Sequence, residues 1–381
     1  MAIFSIRKTL FFLLLITGIA TSGFSQGLSV SPAGAILLDY SQEFPESIRN
    51  KRTVVFVSAE GTPPDNRDLK TWRDLSDFAH TYFREAGIDA VAYFSMEEVF
   101  SGDDPERMFA ERLSTRGVEN LIILRRMTYE DKLQYVIVVT PFAGDGDYME
   151  NGQKAYIASS PNLEPLLKQF ANSVKNSPSE LANHLILEKP EFFGATGIIT
   201  GEKFLRYNPD LKLDKLAVPT FESVDLPDFV PANPESEKVI NALEKLNSNA
   251  ESNNELLKSY MSIYPFEYKV SDFSKIQERD IRLDGYQFVL LRLHAPARTI
   301  REMLGYETES ETYTTTVWQG GEKVTEEVPA DQPVYKYYIK HIFTGDVYLG
   351  SEWDAAPNWD EALRNHFNNM RHELKVDDST P

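Results

Sequence analysis

The chain has 381 residues and a formal net charge of −19, with 42% hydrophobic and 25% charged residues. This composition is typical of a globular protein of two or three domains. The acidic excess argues against a nucleic-acid-binding surface and against docking on anionic lipid, because both need clustered cations. The absence of cysteine excludes disulfides, thiol nucleophiles and thiolate metal sites.

Residues 1–25 have the pattern of an export signal. A short cationic region precedes an apolar core at 10–19, which is shorter than a membrane-spanning helix. Gly23 and Ser25 are the small residues that a signal peptidase selects, so we expect cleavage after Ser25, which leaves Gln26 first. A retained membrane anchor is the alternative.

The end of this leader, Phe-Ser-Gln, resembles the secretory leaders of Bacteroidota. In that group, proteins sent across the outer membrane often carry a β-rich C-terminal sorting domain. Here the pattern predicts a final helix and a polar tail at 377–381. The resemblance therefore implies a periplasmic or secreted protein, with the periplasm favoured and with no stable membrane insertion after cleavage.

The first half of the chain predicts the element order βαβαβββα. Residues 26–50 are polar and are expected to form an extended arm on this first domain. Gly87 is expected to end the first helix in a left-handed conformation. The periodicity places strands at 53–58, 89–94, 119–124, 134–140 and 154–158, and helices at 69–86, at 104–116 and from 161.

Three segments recur later in the same order, which predicts a tandem duplication. The matched pairs are 118–125 with 285–292, 142–145 with 343–346, and 161–174 with 357–370. The alignment makes Leu167 equivalent to Leu363 and Phe142 equivalent to Phe343, and it also pairs Leu121 with Phe288. We therefore expect the first αβ repeat at 26–176, a linker at 177–213 and the second repeat at 214–376.

The second copy predicts a similar series of elements with about 34 extra residues. Its strands are expected at 215–220, 265–270, 286–293, 335–343 and 346–349, and its helices at 235–263, at 271–280 and from 357. The fold class is thus α/β with a mixed sheet in each copy.

The extra residues lie near 300–333 and include a predicted β-hairpin. Two β-prone runs, 312–319 and 322–328, flank a Gly-Gly pair that adopts the positive φ angles of a two-residue turn at little cost. If this hairpin projects, replacing residues 308–330 with a short Gly/Ser linker should leave the melting temperature nearly unchanged and remove a pulled-down partner. The candidate partner-binding residues are then Trp318, Glu322, Glu326 and Glu327. The alternative is that Trp318 folds back onto the domain.

In element order, each copy resembles the small αβ domains of cell-envelope proteins, such as the N-terminal domain of TolB and the LpoB or CsgG type. These families act mainly in protein–protein or assembly roles. The resemblance implies an envelope protein as the partner.

Two groups of residues are candidates for a metal site. His366 and His372 are six residues apart, whereas a helical zinc pair needs four, so we expect His366 to be a core or flanking residue. Asp145 and Asp147 offer oxygen ligands for calcium, although a hairpin turn explains them equally. We expect no cofactor.

Three other polar features are explained by structure. Asp103 and Asp104 are expected to cap a helix. His80 is predicted to face solvent, because it falls between the apolar positions of its helix. The tyrosines at 335, 337 and 338 are expected to pack within a strand.

The sequence therefore favours a secreted, periplasmic, non-enzymatic protein that acts in envelope assembly or as a protein-binding module. Two alternatives remain open. One is a metal-assisted hydrolase using carboxylates and one histidine from the interdomain cleft. The other is a protein that binds a small ligand in that cleft.

We predict that the secreted protein begins at Gln26, since Gly23 and Ser25 are the best-placed cleavage pair after the apolar core. Intact-mass measurement of the exported protein checks this. A mature chain that still contains Phe24 would contradict it.

Overall fold

The computed structural model describes most of the chain from residue 38 onward. The described ranges are 38–60, 69–129, 132–144, 148–150, 152–183, 185–194, 201–224, 226, 234–273 and 278–376. The predicted leader, most of the predicted arm, Asp145, Asp147 and the tail at 377–381 lie outside them.

The first unit is a six-stranded mixed sheet with helices on both faces, which confirms the α/β class. Its elements are β1 (Asp39–Ser41), β2 (Arg52–Ala59), α1 (Trp72–Ala86), β3 (Asp89–Ser95), α2 (Met96–Val99), α3 (Asp103–Thr115), β4 (Val118–Tyr129), β5 (Lys132–Pro141), β6 (Lys154–Ser160) and α4 (Leu163–Lys175). The strand order is β1-β6-β5-β4-β2-β3. Neighbours among β4, β5 and β6 are antiparallel and the other pairs are parallel.

Local sequence signals explain the ends of α1. The Thr71 hydroxyl accepts a hydrogen bond from the Asp74 N–H, and the Asp74 carboxylate accepts one from the Thr71 N–H, which together form a capping box. Gly87 follows the helix with φ of 83°, in the left-handed conformation that glycine adopts without strain. The predicted helix end at Gly87 is confirmed.

The second unit contains another six-stranded mixed sheet and the predicted hairpin. Its elements are β7 (Lys203–Phe204), β8 (Lys215–Pro219), α5 (Pro234–Tyr260), β9 (Tyr268–Ser271), α6 (Glu278–Leu283), β10 (Tyr286–Pro296), α7 (Ala297–Leu304), β11 (Thr312–Gln319), β12 (Glu322–Pro329), β13 (Pro333–His341), β14 (Val347–Tyr348) and α8 (Trp359–Glu373). The sheet order is β7-β14-β13-β10-β8-β9, and β11 pairs with β12 in a separate two-stranded sheet.

The two large sheets have the same strand order and the same strand directions. β7, β14, β13, β10, β8 and β9 take the places of β1, β6, β5, β4, β2 and β3. A 3-10 helix precedes the central parallel strand in each unit, at Glu46–Arg49 and at Pro209–Lys212. Ile48 and Leu211, at the same place in these helices, are both fully buried. Tandem duplication stays a prediction, and this correspondence supports it.

The unit boundaries differ from the expected ones at both starts. β1 lies in the predicted arm and pairs with β6, so this part of the arm is an edge strand of the first sheet. β7 lies in the predicted linker at 177–213 and pairs with β14. The second sheet therefore begins ahead of residue 214.

At the end of β5 and β13, the correspondence between the two units differs by one residue from the predicted alignment. The N–H of Phe142 donates to the Glu119 carbonyl, and that of Ile342 donates to the Gln287 carbonyl, each at 2.9 Å. Ile342, which is buried, therefore takes the place of Phe142, whereas Phe343 is 70% exposed. The pairing of Phe142 with Phe343 was wrong, because the apolar slot is filled one residue earlier.

The same shift affects the start of this strand pair. Asn120 lies opposite Pro141 and Phe288 lies opposite His341, so Phe288 corresponds to Asn120 and not to Leu121. The excess of the second unit between these strands is then 32 residues. Leu167 and Leu363, by contrast, are both fully buried at the fifth position of α4 and α8, as expected.

The two units pack against each other through one continuous hydrophobic cluster. It includes Phe56 and Leu121 of the first sheet, Leu293 and Tyr338 of the second, and Ile300 of α7. The described side chains thus fill the space between the sheets with core packing.

A buried ion pair crosses this interface. The Nζ of Lys340 lies 3.0 and 3.2 Å from the two carboxylate oxygens of Asp104, and the Arg107 guanidinium lies 2.9 Å from one of them. The side chains of Asp104 and Lys340 are 6% and 9% exposed. Helix capping was therefore the wrong interpretation of Asp104. α3 follows Gly102 with no side-chain cap, and Asp104 instead joins the two units.

Replacing Asp104 with alanine should lower the free energy of unfolding by about 3 kcal/mol, because Lys340 would remain buried without its carboxylate. Chemical denaturation at pH 7 measures this change. The double variant Asp104→Ala/Lys340→Met removes both charges, so its free energy of unfolding should fall clearly less than that of Asp104→Ala. Equal losses in the two variants would show that the ion pair is not the cause.

Candidate functional site: the inserted hairpin

The predicted hairpin is confirmed at its predicted residues. β11 and β12 pair antiparallel from Thr312 with Pro329 to Gln319 with Glu322. Gly320 and Gly321 form the two-residue turn with φ of 58° and 85°, the conformation that favours glycine at both positions. In the first unit, only residues 130 and 131 separate β4 from β5, so the hairpin belongs to the second unit alone.

The outer side of β11 is bonded to the rest of its unit. The Thr316 N–H donates to the Trp353 carbonyl at 2.7 Å. The buried Asn369 side chain of α8 donates to the Thr316 carbonyl at 2.8 Å and accepts from the Trp318 N–H at 2.9 Å. Asn369 therefore satisfies β11 as a neighbouring strand would, and it fixes the hairpin on α8.

Side chains of the hairpin also enter the core. Tyr313, Val317 and Val328 are buried, and the Arg301 guanidinium lies 4.3 Å from the centre of the Tyr313 ring. Replacing residues 308–330 with a Gly/Ser linker would remove these contacts. These buried contacts favour destabilisation by this replacement, in contrast to the nearly unchanged melting temperature expected for a projecting hairpin.

Trp318 packs on its own chain. Its ring stacks on that of His372 with 3.7 Å between centroids and 7° between planes. This contact agrees with the alternative in which Trp318 folds back onto its domain. The other three candidate residues, Glu322, Glu326 and Glu327, are exposed on β12.

β12 presents an open strand edge. Thr316 and Trp318 direct their backbone groups away from β12, so the alternation of an antiparallel pair makes their partners Thr325 and Lys323 point away from β11. Glu327, two residues beyond Thr325, points the same way. Within the described part of the chain, no backbone group pairs with these three residues on that side.

The second candidate site is a buried cluster next to the hairpin. The His366 Nδ1 lies 3.2 Å from one carboxylate oxygen of Asp354, and the Nζ of Lys336 lies 2.6 Å from the other. The Tyr207 hydroxyl donates to the His366 carbonyl at 3.0 Å. Each of these four side chains is at most 2% exposed.

The electrostatics of this cluster favour a charged carboxylate and a neutral imidazole. Burial alone would raise the pKa of Asp354, but Lys336 and His366 outweigh it and hold that pKa below its usual value. Burial lowers the pKa of His366 despite the hydrogen bond with Asp354. An Asp–His pair of this kind can orient a general base, yet here no face of the imidazole reaches solvent, so its contribution is structural.

The remaining candidate residues do not converge on a metal site. His366 is a core residue, as expected, while the His372 ring stacks on Trp318. Among the described residues, no three His, Asp or Glu side chains lie close enough together to hold a metal ion. The possible calcium ligands Asp145 and Asp147 lie outside the described residues.

His80 was wrongly predicted to face solvent. It is 2% exposed, with Nδ1 2.8 Å from the Tyr93 hydroxyl and Nε2 3.0 Å from the Leu187 carbonyl. The Leu187 carbonyl, which lies more than 100 residues later in the chain, therefore contacts the buried ring. Tyr335, which was expected to pack in a strand, is buried in β13.

Stability should fall as the pH drops from 7.5 to 5. Burial lowers the pKa of His80 and His366, and it lowers that of His294 to about 4. Such a histidine takes up a proton on unfolding, so its stabilising effect is complete above pH 6.5 and is lost as the pH falls toward the folded pKa. His294 alone should lower the free energy of unfolding by about 2 kcal/mol between pH 7.5 and pH 5.

The variant His294→Phe tests this, because phenylalanine can keep the flat stacking of residue 294 on Tyr335. The free energy of unfolding is measured by denaturant titration at pH 7.5 and at pH 5. The difference between these two values should be about 2 kcal/mol smaller in His294→Phe than in the wild type. An unchanged difference would contradict the assignment to His294.

Comparison with known proteins assigns the chain to no family. No protein-family model matches it, and no curated protein matches it. The resemblance to envelope αβ domains therefore rests on element order and stays a prediction. Of the described helices, none is both long enough and apolar enough to cross a membrane.

Proposed function

We propose that this chain is a secreted, periplasmic, non-enzymatic protein that acts in cell-envelope assembly as a protein-binding module. The observation that carries the proposal is the open edge of β12, where Lys323, Thr325 and Glu327 direct their backbone groups outward. Such an edge binds an extended segment of a partner by adding a strand to the sheet.

The way the hairpin is held supports this role. Strand addition requires an edge that is already extended, since ordering a flexible segment on binding costs conformational entropy. β11 is fixed by Trp353 and Asn369, and β12 is paired along β11 over eight residues. The edge is thus preorganised before a partner arrives.

The secretory leader and the element order support the compartment and the class. A leader that ends near Ser25 directs the chain out of the cytoplasm. Envelope domains with a similar order of elements act in protein–protein contacts.

The two alternative functions find less support in the geometry. A hydrolase that uses the Asp354–His366 pair would need substrate access to side chains that are at most 1% exposed. A ligand site between the units would have to displace the packed cluster that includes Leu121 and Leu293. The hairpin edge needs no such rearrangement.

The variant Thr325→Pro should abolish partner binding without unfolding the hairpin. Proline removes an N–H that points away from β11, so the bonds between β11 and β12 remain while one bond to an added strand is lost. A photo-crosslinking residue in place of the exposed Glu326, expressed in the native periplasm, should form an adduct that Thr325→Pro eliminates.

Two controls make this test specific. Thr325→Val keeps the N–H and should preserve the adduct, and a crosslinker in place of Leu213, which is 84% exposed, should form none. Thermal melting of both variants checks that the fold is intact. An adduct that persists in Thr325→Pro would count against strand addition.

A further inference from the structure

We propose that the segment added to this edge is β12 of a second copy, running antiparallel, with the two-fold axis at Thr325. This inference rests on the proposed function, because it names the partner of the same edge. A symmetric pair of this kind uses the same surface on both subunits.

The backbone geometry permits this pairing. In an antiparallel pair, the residues that exchange hydrogen bonds are those whose N–H and C=O both face the neighbouring strand. A two-fold axis at Thr325 places Thr325 opposite the partner's Thr325, Lys323 opposite the partner's Glu327, and Glu327 opposite the partner's Lys323. All three residues point outward, so each pair can exchange two bonds. Pro329 has no N–H and ends the pairing.

The charges select this register. It places each Lys323 directly opposite a glutamate, and opposite charges at such cross-strand positions are stabilising. A register centred on Glu327 would oppose two glutamates, and one centred on Lys323 would oppose two lysines. Of these symmetric registers on the outward-pointing residues, only the one centred on Thr325 brings opposite charges together.

The side chains are available for this contact. The Lys323 Nζ lies 2.9 Å from a carboxylate oxygen of Glu352, but the lysine side chain is still 46% exposed. It can therefore contact both Glu352 and the partner's Glu327. Val324, which is 47% exposed, would lie opposite the partner's Glu326 on the other face.

The assembly closes at two copies. The far edge of β11 is already bonded to Trp353 and Asn369, so the combined sheet has four strands and cannot extend further. A basic extended peptide from another protein is the competing occupant of this acidic edge.

The first experiment uses the absence of cysteine in the chain. Thr325→Cys places two thiols opposite each other at a Cα separation of about 5.5 Å, which is within the range of disulfides. With oxidised glutathione as the oxidant, the full-length secreted protein should form a covalent dimer. The matched control is Thr314→Cys, an exposed position on β11, which should stay monomeric.

The second experiment reverses charges. Lys323→Glu and Glu327→Lys each oppose like charges at two places, so each should weaken dimerisation at least tenfold in sedimentation equilibrium at low salt. The double variant Lys323→Glu/Glu327→Lys restores opposite charges and should recover the dimer. Thermal melting of all three variants confirms folding.

Two outcomes would overturn the proposal. One is disulfide formation in Thr325→Cys no faster than in Thr314→Cys. The other is a sedimentation mass of one chain for the wild type at several hundred micromolar. If the protein is monomeric while the Glu326 crosslinker captures a different protein, the second-copy proposal fails and the proposed function stands. If neither a dimer nor an adduct forms, both fail.

Discussion

The ion pair between Lys336 and Asp354 is the interaction on which the hairpin depends. Lys336 belongs to the central part of the second sheet, and its Nζ lies 2.6 Å from Asp354 in a place that solvent does not reach. Asp354 thereby fixes the chain between β14 and α8. The neighbouring carbonyls of Trp353 and Ala355 accept hydrogen bonds from the Thr316 N–H and from the Thr315 hydroxyl of β11. The buried ion pair thus fixes the loop, and the loop in turn fixes the position of β11.

A buried charge pair is a costly way to fix a loop, because both groups lose their hydration. The cost is offset here by further hydrogen bonds. Lys336 also donates to the Tyr337 and Leu349 carbonyls, and Asp354 also lies next to His366. An apolar pair of similar volume could supply comparable stability, but it would not fix the direction of the loop, since hydrophobic contact is not directional. Direction matters in this loop because its carbonyls must face β11.

The features that the sequence predicted well are those encoded by neighbouring residues. The left-handed end of α1 at Gly87 and the turn at Gly320 and Gly321 each follow from glycine beside a clear periodic run. The features that it missed depend on distant contacts. β1 and β7 have three and two residues, too few for any periodicity, and they exist because a neighbouring strand pairs with them. His80 falls outside the apolar stripe of its helix, yet a segment more than 100 residues later covers it through Leu187. For the same reason, the sequence could not distinguish Asp104, at the start of a helix, from a capping residue. Its partner Lys340 lies on β13 and is close only in the folded structure.

Two of the sheet edges show how this chain protects exposed backbone. At β3, the Tyr93 N–H donates to the Glu191 carbonyl and the Tyr93 carbonyl accepts from the Phe193 N–H, so a later segment covers that edge. At β11, the side chain of Asn369 does the same. β12 instead relies on charge, a common protection for edge strands. Charge protects selectively, since it repels strands that bring like charges together and admits one that brings opposite charges together. A charged edge therefore disfavours pairing with most extended segments and favours a segment with a complementary charge pattern. An edge that is covered by another part of the chain allows no such pairing.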